Sequence, residues 1–330
     1  MRRVCALLIG GTICAAANGC LVFVNLDLTT GKTPYEETVL TPAKSWWTDA
    51  KIALIDLHGV ISKRYGSSGL LSGGPGPDPV SDMREALGRA AGDDDVKAVV
   101  LRIDSPGGYV AWCDMLHREV LRFRKETGKP VVACITNLGA SGGYYVACGA
   151  DRIHAAPGAA VGSIGVIALF LNLEKLAGKI GVETQVIKSA DKKDMGGLWR
   201  ALTDDERKVM QSMIDEYYGR FLDIVLAARP GLTRERLLPL ADGRIVTAGR
   251  AAEGGLIDRV AYLDESIAEA RQMAGLDDAA LVTYRRGGEY KNNMYSQAPQ
   301  APVTNIFNVD LGEAFGAHEP GFYYLWAPNR

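Results

Sequence analysis

The strongest constraint on this chain is a pattern that occurs twice in succession: an apolar strand, a glycine-rich turn, then a helix. The first unit runs from Ala98–Ile103 through Asp104-Ser105-Pro106-Gly107-Gly108 into a helix over about 110–127, stopped by Gly128 and Pro130. The second runs from Val131–Thr136 through Gly139-Ala140-Ser141-Gly142-Gly143 into a helix that reaches Cys148. Apolar runs without alternation belong to strands covered on both faces. Strands that alternate with helices build βαβ units on a mainly parallel sheet. Right-handed crossovers then stack the units into a layered α/β core.

The remaining chain fits round that core. Lys51–Ile61 reads as a buried strand, and the Gly/Pro/Ser-rich stretch Gly66–Pro79 as a loop. Ser81–Ala91 has helical spacing at Met83, Leu87 and Ala91, with Ser81 or Asp82 as N-cap. Arg152–Ala155 is a short strand. Residues 203–229 predict a long amphipathic helix, opened by a Thr203/Glu206 capping box and ended at Pro230. Two more helical segments surround Gly254-Gly255-Leu256-Ile257-Asp258. From about residue 286 the chain turns polar and irregular, closing on the aromatic cluster Phe322-Tyr323-Tyr324-Leu325-Trp326. No internal repeat is present. The resulting division is residues 1–24 as an N-terminal membrane or export segment, 25–50 as linker, 51–285 as the folded domain and 286–330 as an irregular tail.

Arg2 and Arg3 precede an uncharged run of 21 residues, Val4 to Val24. A helix of that length spans roughly 30 Å, the thickness of a bilayer core. Three readings of the segment stand: a retained signal anchor, a cleaved signal peptide, or a lipoprotein signal, since Ala17-Asn18-Gly19-Cys20 is a degenerate lipobox. All three put the arginines in the cytoplasm and the body of the chain beyond the cytoplasmic membrane. A net charge of −2, without a basic stripe, gives no reason to expect a nucleic-acid partner. Cys113, Cys134 and Cys148 have neither CxxC nor Cys/His spacing, so no zinc site and no metal are expected. Cys134 and Cys148 lie in apolar runs and read as small buried hydrophobes.

Ser141 sits on a strand-to-helix turn between small residues, where a nucleophilic hydroxyl would be exposed among backbone N–H groups. The Gly107-Gly108 turn, one unit earlier, lies at the carboxyl end of a parallel strand, where sites collect. Gly142 with Gly107 or Gly108 would supply an oxyanion hole, each donor contributing about 3–4 kcal/mol to a transition state. The serine needs a base. His58, His117, His154 and His318 have no triad arrangement. A lysine serves if its amine is held neutral by burial. The segment Ile187-Lys188-Ser189-Ala190-Asp191-Lys192-Lys193-Asp194 offers three, and spacing does not choose among them.

The runs 101–110 (LRIDSPGGYV), 139–166 (GASGGYYVACGADRIHAAPGAAVGSIGV), 187–195 (IKSADKKDM) and 243–258 (GRIVTAGRAAEGGLID) resemble the signal peptide peptidase A family of serine–lysine peptidases, over about residues 50–265. The resemblance implies Ser141 as nucleophile and Lys193 as general base, 52 residues downstream. It also implies Gly108 and Gly142 as oxyanion donors, with Gly107 the alternative. Ser163 is a candidate for orienting the lysine amine. The implied fold is ClpP/crotonase-like, of repeated ββα-type units with mainly parallel sheets, behind an N-terminal membrane segment. The implied partners are peptide substrates such as cleaved signal peptides, the membrane through residues 4–24, and further copies in a homo-oligomeric ring. No cofactor is implied. His58 in a strand and the 285–330 tail depart from the family pattern. A catalytically inactive scaffold and a crotonase-type acyl-CoA enzyme are the alternatives.

Overall fold

The computed structural model describes residues 11–17, 20–26, 35–62, 79–286, 293–294 and 321–326. In chain order the elements are β1 (Gly11–Ala17), β2 (Cys20–Leu26), β3 (Tyr35–Thr41), β4 (Lys51–His58), α1 (Pro79–Gly92), β5 (Val96–Ser105), β6 (Gly107–Tyr109), α2 (Val110–Thr127), β7 (Val131–Ala140) and α3 (Gly142–Ala147). There follow β8 (Arg152–Ala155), β9 (Ala160–Gly162), β10 (Ile167–Leu169), α4 (Glu174–Lys179), α5 (Asp204–Ala228), α6 (Arg234–Leu237), β11 (Ile245–Thr247) and α7 (Ala248–Glu253). The last are β12 (Arg259–Val260), α8 (Leu263–Met273), β13 (Ala280–Arg286) and β14 (Gly321–Leu325).

The main sheet has nine strands, with the path β11-β9-β7-β5-β4-β13-β3 and with β8 and β12 branching from β7. All its pairings are parallel except β13 with β3 and β9 with β11. The period of two along the central strands builds two layers. Ala53, Ile55 and Leu57 of β4, Val99, Leu101 and Ile103 of β5, and Val131, Ala133 and Ile135 of β7 face α1, α2 and α3. Their neighbours Ile52, Leu54, Ala98, Val100, Val132 and Cys134 pack on Leu263 and Ala270 of α8. Each fully buried valine or leucine here stabilises the fold by about 1.5–3 kcal/mol. Arg102 continues the α8 layer and is buried, held by both oxygens of Asp56 at 2.7 Å, with Arg285 of β13 at 3.0 Å from the same carboxylate.

Three expectations meet a different structure. Residues 11–17 and 20–26, which overlap the Val4–Val24 stretch read as a 21-residue apolar helix, pair as antiparallel strands with Ala17 opposite Cys20. The β-branched Thr12, Ile13, Val22 and Val24 suit strands. Among the described residues no helix is long and apolar enough to cross a membrane. Second, β3, in the stretch read as linker, closes the sheet edge against β13. Third, the tail read as irregular contributes β14. Most of the Gly66–Pro79 loop, residues 4–10 of the N-terminal stretch and His318 lie outside the described residues.

Candidate active site

The strand β7 ends at Ala140 and α3 begins at Gly142, so Ser141 makes the whole turn. It does so at φ 51°, ψ −115°, a conformation that an L-residue holds at a cost of roughly 1–3 kcal/mol. The surroundings impose it. The Ser141 amide donates to the Gly162 carbonyl at 2.7 Å, and the Ser141 carbonyl accepts from the Tyr145 amide at 2.9 Å. The hydroxyl is buried, with the residue 1% exposed, and its Oγ has no hydrogen-bond partner. A buried hydroxyl normally finds one.

The two tyrosines that follow anchor the turn. Tyr144 donates its hydroxyl to the Leu256 carbonyl at 2.7 Å, and Tyr145 donates to Asp114 at 2.7 Å. Gly143 lets α3 approach β5: a Cβ there would lie 2.7 Å from the Ser105 carbonyl. Gly107 has φ 97° and faces Gly142 so closely that a Cβ on it would lie 2.6 Å from the Gly142 nitrogen. The two glycine turns read from the sequence therefore meet. Their donors are not equivalent. The buried Ser105 donates its hydroxyl to the Gly59 carbonyl at 2.7 Å and accepts the Gly107 N–H at 3.1 Å. Gly107 thus has its N–H engaged within its own turn.

Ser163 joins the cluster through the chain next to it, since Gly162 is the acceptor for Ser141. Among the described residues it is the other non-glycine position with positive φ, at 50°, and its amide donates to the Arg244 carbonyl at 2.7 Å. It lines a cavity of about 620 Å³ together with Ile167, Asp215, Asp242, Leu325 and Trp326.

The lysine segment folds as a short 3-10 turn, Asp191–Asp194, at the surface. Lys188 donates to Asp194 and to the Asp191 carbonyl, both at 2.8 Å, and Lys192 pairs with Asp205. Arg200 bridges Asp194 and Glu206, and the Glu206 carboxylate closes the capping box of α5 on the Thr203 amide. The Arg200 and Lys188 hydrogen bonds hold the Asp194 carboxyl below the usual carboxylate range, and Arg200 holds Glu206 down at about 2. Lys193 is exposed, and its amine has no side-chain or backbone partner among the described residues. Ser141 and Lys193 are therefore not joined within the described chain: neither polar end bonds the other.

Among the described residues no histidine takes the base's place. His117 is buried against the Tyr145 ring, and burial pushes its pKa down to about 4. His154 is buried between Ser266, at 2.9 Å, and Glu269, at 3.2 Å. His58 is exposed at the end of β4, 3.6 Å from Asp104. Cys113, Cys134 and Cys148 are all buried free thiols. Among the described residues no three His, Cys, Asp or Glu side chains group as metal ligands.

The sequence reading missed β14. It lies antiparallel between β6 and β10, with Tyr324 opposite Gly108 and Leu325 opposite Gly107. The Tyr324 carbonyl oxygen would be 1.9 Å from a Cβ on Gly107 and 3.0 Å from one on Gly142. The signal available was the run Phe322–Trp326, too apolar for a solvated tail.

Residues 123–277 match the model of peptidase family S49. A candidate protease of Synechocystis sp. is 41% identical over 180 residues, 54% of this chain and 64% of that protein. Protease 4 of Salmonella typhi is 31% identical over 251 residues, 76% of this chain and 38% of its own. The chloroplastic serine protease SPPA of Arabidopsis thaliana is 35% identical over 181 residues, 54% of this chain and 26% of its own. The chain thus spans less than two thirds of each of these relatives. Among solved structures, a serine-to-alanine mutant of the 1510-N membrane-bound stomatin-specific protease aligns with a TM-score of 0.41 at 16% identity, covering 67% of this chain and 84% of that one.

Proposed function

This chain belongs to peptidase family S49, the signal peptide peptidase A family, and from that premise we propose that it is a membrane-associated serine endopeptidase. Its substrates are residual signal peptides and short or unfolded polypeptides on the extracytoplasmic side of the cytoplasmic membrane. Ser141 is the nucleophile and Lys193 the general base. Gly108 and Gly142 N–H groups hold the oxyanion, and Ser163 orients the lysine. The observation that carries the reading is the Ser141 hydroxyl: strained, buried and unpartnered at a turn where two glycine backbones converge. The engagement of the Gly107 N–H by Ser105 favours Gly108 as the second donor.

The lysines support the same assignment. The amines of Lys188 and Lys192 are committed to the carboxylates of Asp194 and Asp205, and the Lys193 amine has no such partner among the described residues, so it is the one free to meet the Ser141 hydroxyl. The proton of Ser141 passes to the Lys193 amine as Oγ attacks the peptide carbonyl. It then goes to the leaving amine, and the same lysine draws a proton from the water that hydrolyses the ester. Because the amine is exposed in the single chain, the dyad closes and loses water when copies assemble into a ring. The apolar surface between residues 169 and 187, with Ile180 68% and Ile187 102% exposed, supplies a face for that contact.

Ser141→Ala and Lys193→Met are each expected to lower cleavage of an unfolded protein substrate by roughly 10³-fold or more. Fluorophosphonate labelling should mark Ser141 in the parent chain. Full activity in Lys193→Met with loss in Lys188→Met would move the base, and an unlabelled Ser141 in the assembled protein would overturn the reading.

A further inference from the structure

We propose that Ser105 is a positioning residue for the oxyanion hole: its hydroxyl holds both peptide planes of the Gly107-Gly108 turn, one directly and one through the chain at Gly59–Ile61, and so fixes the aim of the Gly108 N–H. The proposal rests on the reading of Ser141 as nucleophile with Gly108 as an oxyanion donor.

Two consecutive glycines can rotate their peptide planes at little steric cost. An oxyanion donor works by being aimed before the reaction starts. Each plane of this turn must therefore be held from outside the glycines. The plane between Pro106 and Gly107 is held by its N–H, which the Ser105 Oγ accepts at 3.1 Å. The Trp326 amide reaches the carbonyl end of the same plane at 2.8 Å. The plane between Gly107 and Gly108 is held by its carbonyl, which accepts the Ile61 amide at 2.8 Å. That peptide is trans, so its N–H, which is that of Gly108, points away from Ile61. The Ile61 carbonyl accepts the Tyr109 amide at 3.0 Å. It lies so close over Gly108 that a Cβ there would be 2.0 Å from its oxygen.

Ser105 connects the two holds. The hydroxyl that accepts from Gly107 also donates to the Gly59 carbonyl at 2.7 Å, on the chain that leads into Ile61. Gly59 makes the bend after β4 at φ 73°, and its amide donates to the Asp104 carbonyl at 2.9 Å. One hydroxyl thus uses its donor on the segment that carries Ile61 and an acceptor site on the glycine turn. A serine in an ordinary turn bonds its own backbone and goes no further; the bond to Gly59 is what Ser105 adds. Its backbone faces the Ser141 turn as well. Ser105 stands opposite Gly139 of β7, and a Cβ on Gly143 would lie 2.7 Å from its carbonyl. Ser105 and Ile61 are both fully buried, so bulk water does not compete for either hold.

The test compares Ser105→Ala with Ser266→Ala in the full chain. Ser266, on α8, is also fully buried, and its hydroxyl bonds His154 and the Tyr262 carbonyl, so its loss reports the general effect of removing a buried hydroxyl. On fluorescein-labelled casein, Ser105→Ala should lower kcat by roughly 10–100-fold and leave KM within about twofold. Ser266→Ala should keep kcat within about twofold of the parent. The second readout is inhibition by the peptide aldehyde acetyl-leucyl-leucyl-norleucinal beside its alcohol. The aldehyde's hemiacetal with Ser141 carries an oxygen at the oxyanion position, and the alcohol forms none. Ser105→Ala should weaken the aldehyde by the same factor as kcat and leave the alcohol unchanged. Ser105→Cys keeps the shape and weakens both hydrogen bonds; it should show the same split, and it serves where the alanine protein does not fold. Unchanged kcat in the Ser105 variants, an equal fall in Ser266→Ala, or equal weakening of aldehyde and alcohol overturns the proposal and leaves Ser105 a structural turn residue. Cleavage that depends on Ser141 but not on Ser105 overturns the role of Ser105 alone. Cleavage indifferent to Ser141→Ala overturns the nucleophile, and the oxyanion turn with it.

Discussion

Ser141 and Ser163 are the only non-glycine residues with positive φ among those described, and hydrogen bonds from their own amides hold both there. Strain of this kind persists where neighbouring structure over-determines it, and here the neighbours are β9 and the chain before β11. A second residue with a measurable signature is His117. Burial lowers its pKa from 6.5 to about 4, against the field of Asp114, which raises it, and reinforced by the positive charges of Arg220 and Arg124. The folded state excludes a proton that the unfolded chain accepts. Stability is therefore fully present above pH 6.5 and falls as the pH drops from 6.5 to about 4, by roughly 3 kcal/mol from this group. Urea midpoints measured at pH 7 and pH 4 should move apart by less in His117→Gln than in the parent. An unchanged difference would show that other groups set the slope.

At the scale of elements, the sequence showed what depends on local periodicity. Strands β4, β5, β7 and β8, the helices α1, α2, α3 and α5, and the capping box at Thr203 all follow from apolar runs, glycine stops and cap residues. The elements it did not show are either very short or held only by distant partners. β9, β10 and β11 have three residues each, too few for a period to register. β3 and β14 are strands because β13, β6 and β10 pair with them, and nothing local in Thr-, Lys- or Pro-rich surroundings announces such a partner. The site divides the same way. Ser141 and its glycines are local and were visible from their turn chemistry. The engagement of the Gly107 N–H by Ser105, the network of Arg200 with Asp194 and Glu206, and the pairing of β14 with β6 and β10 depend on contacts that spacing does not encode.

At the scale of the whole molecule, Ser141, the proposed nucleophile, lies in the interior, and Lys193, the proposed base, lies on the surface. Assembly is what would bring them together. Ile187→Glu places a charge on the most exposed large apolar side chain among the described residues and should shift the assembled species toward monomer in analytical ultracentrifugation. Cleavage should fall with it while the melting temperature stays within a few degrees; an intact ring with full activity would exclude this face. The packing beneath the turn also equips the molecule with its own clock. The Cys113 sulfur would be 2.3 Å from a Cβ on Gly142, fully buried, and burial pushes its thiol pKa far up. Such a thiol is inert until the structure around it opens. Its alkylation rate in native buffer, set against that of Cys134 in the layer under α8, measures how often the Ser141 turn breathes apart from the rest of the fold. A faster rate at Cys113 would mark local opening, and equal rates would show that the turn opens only when the whole domain does.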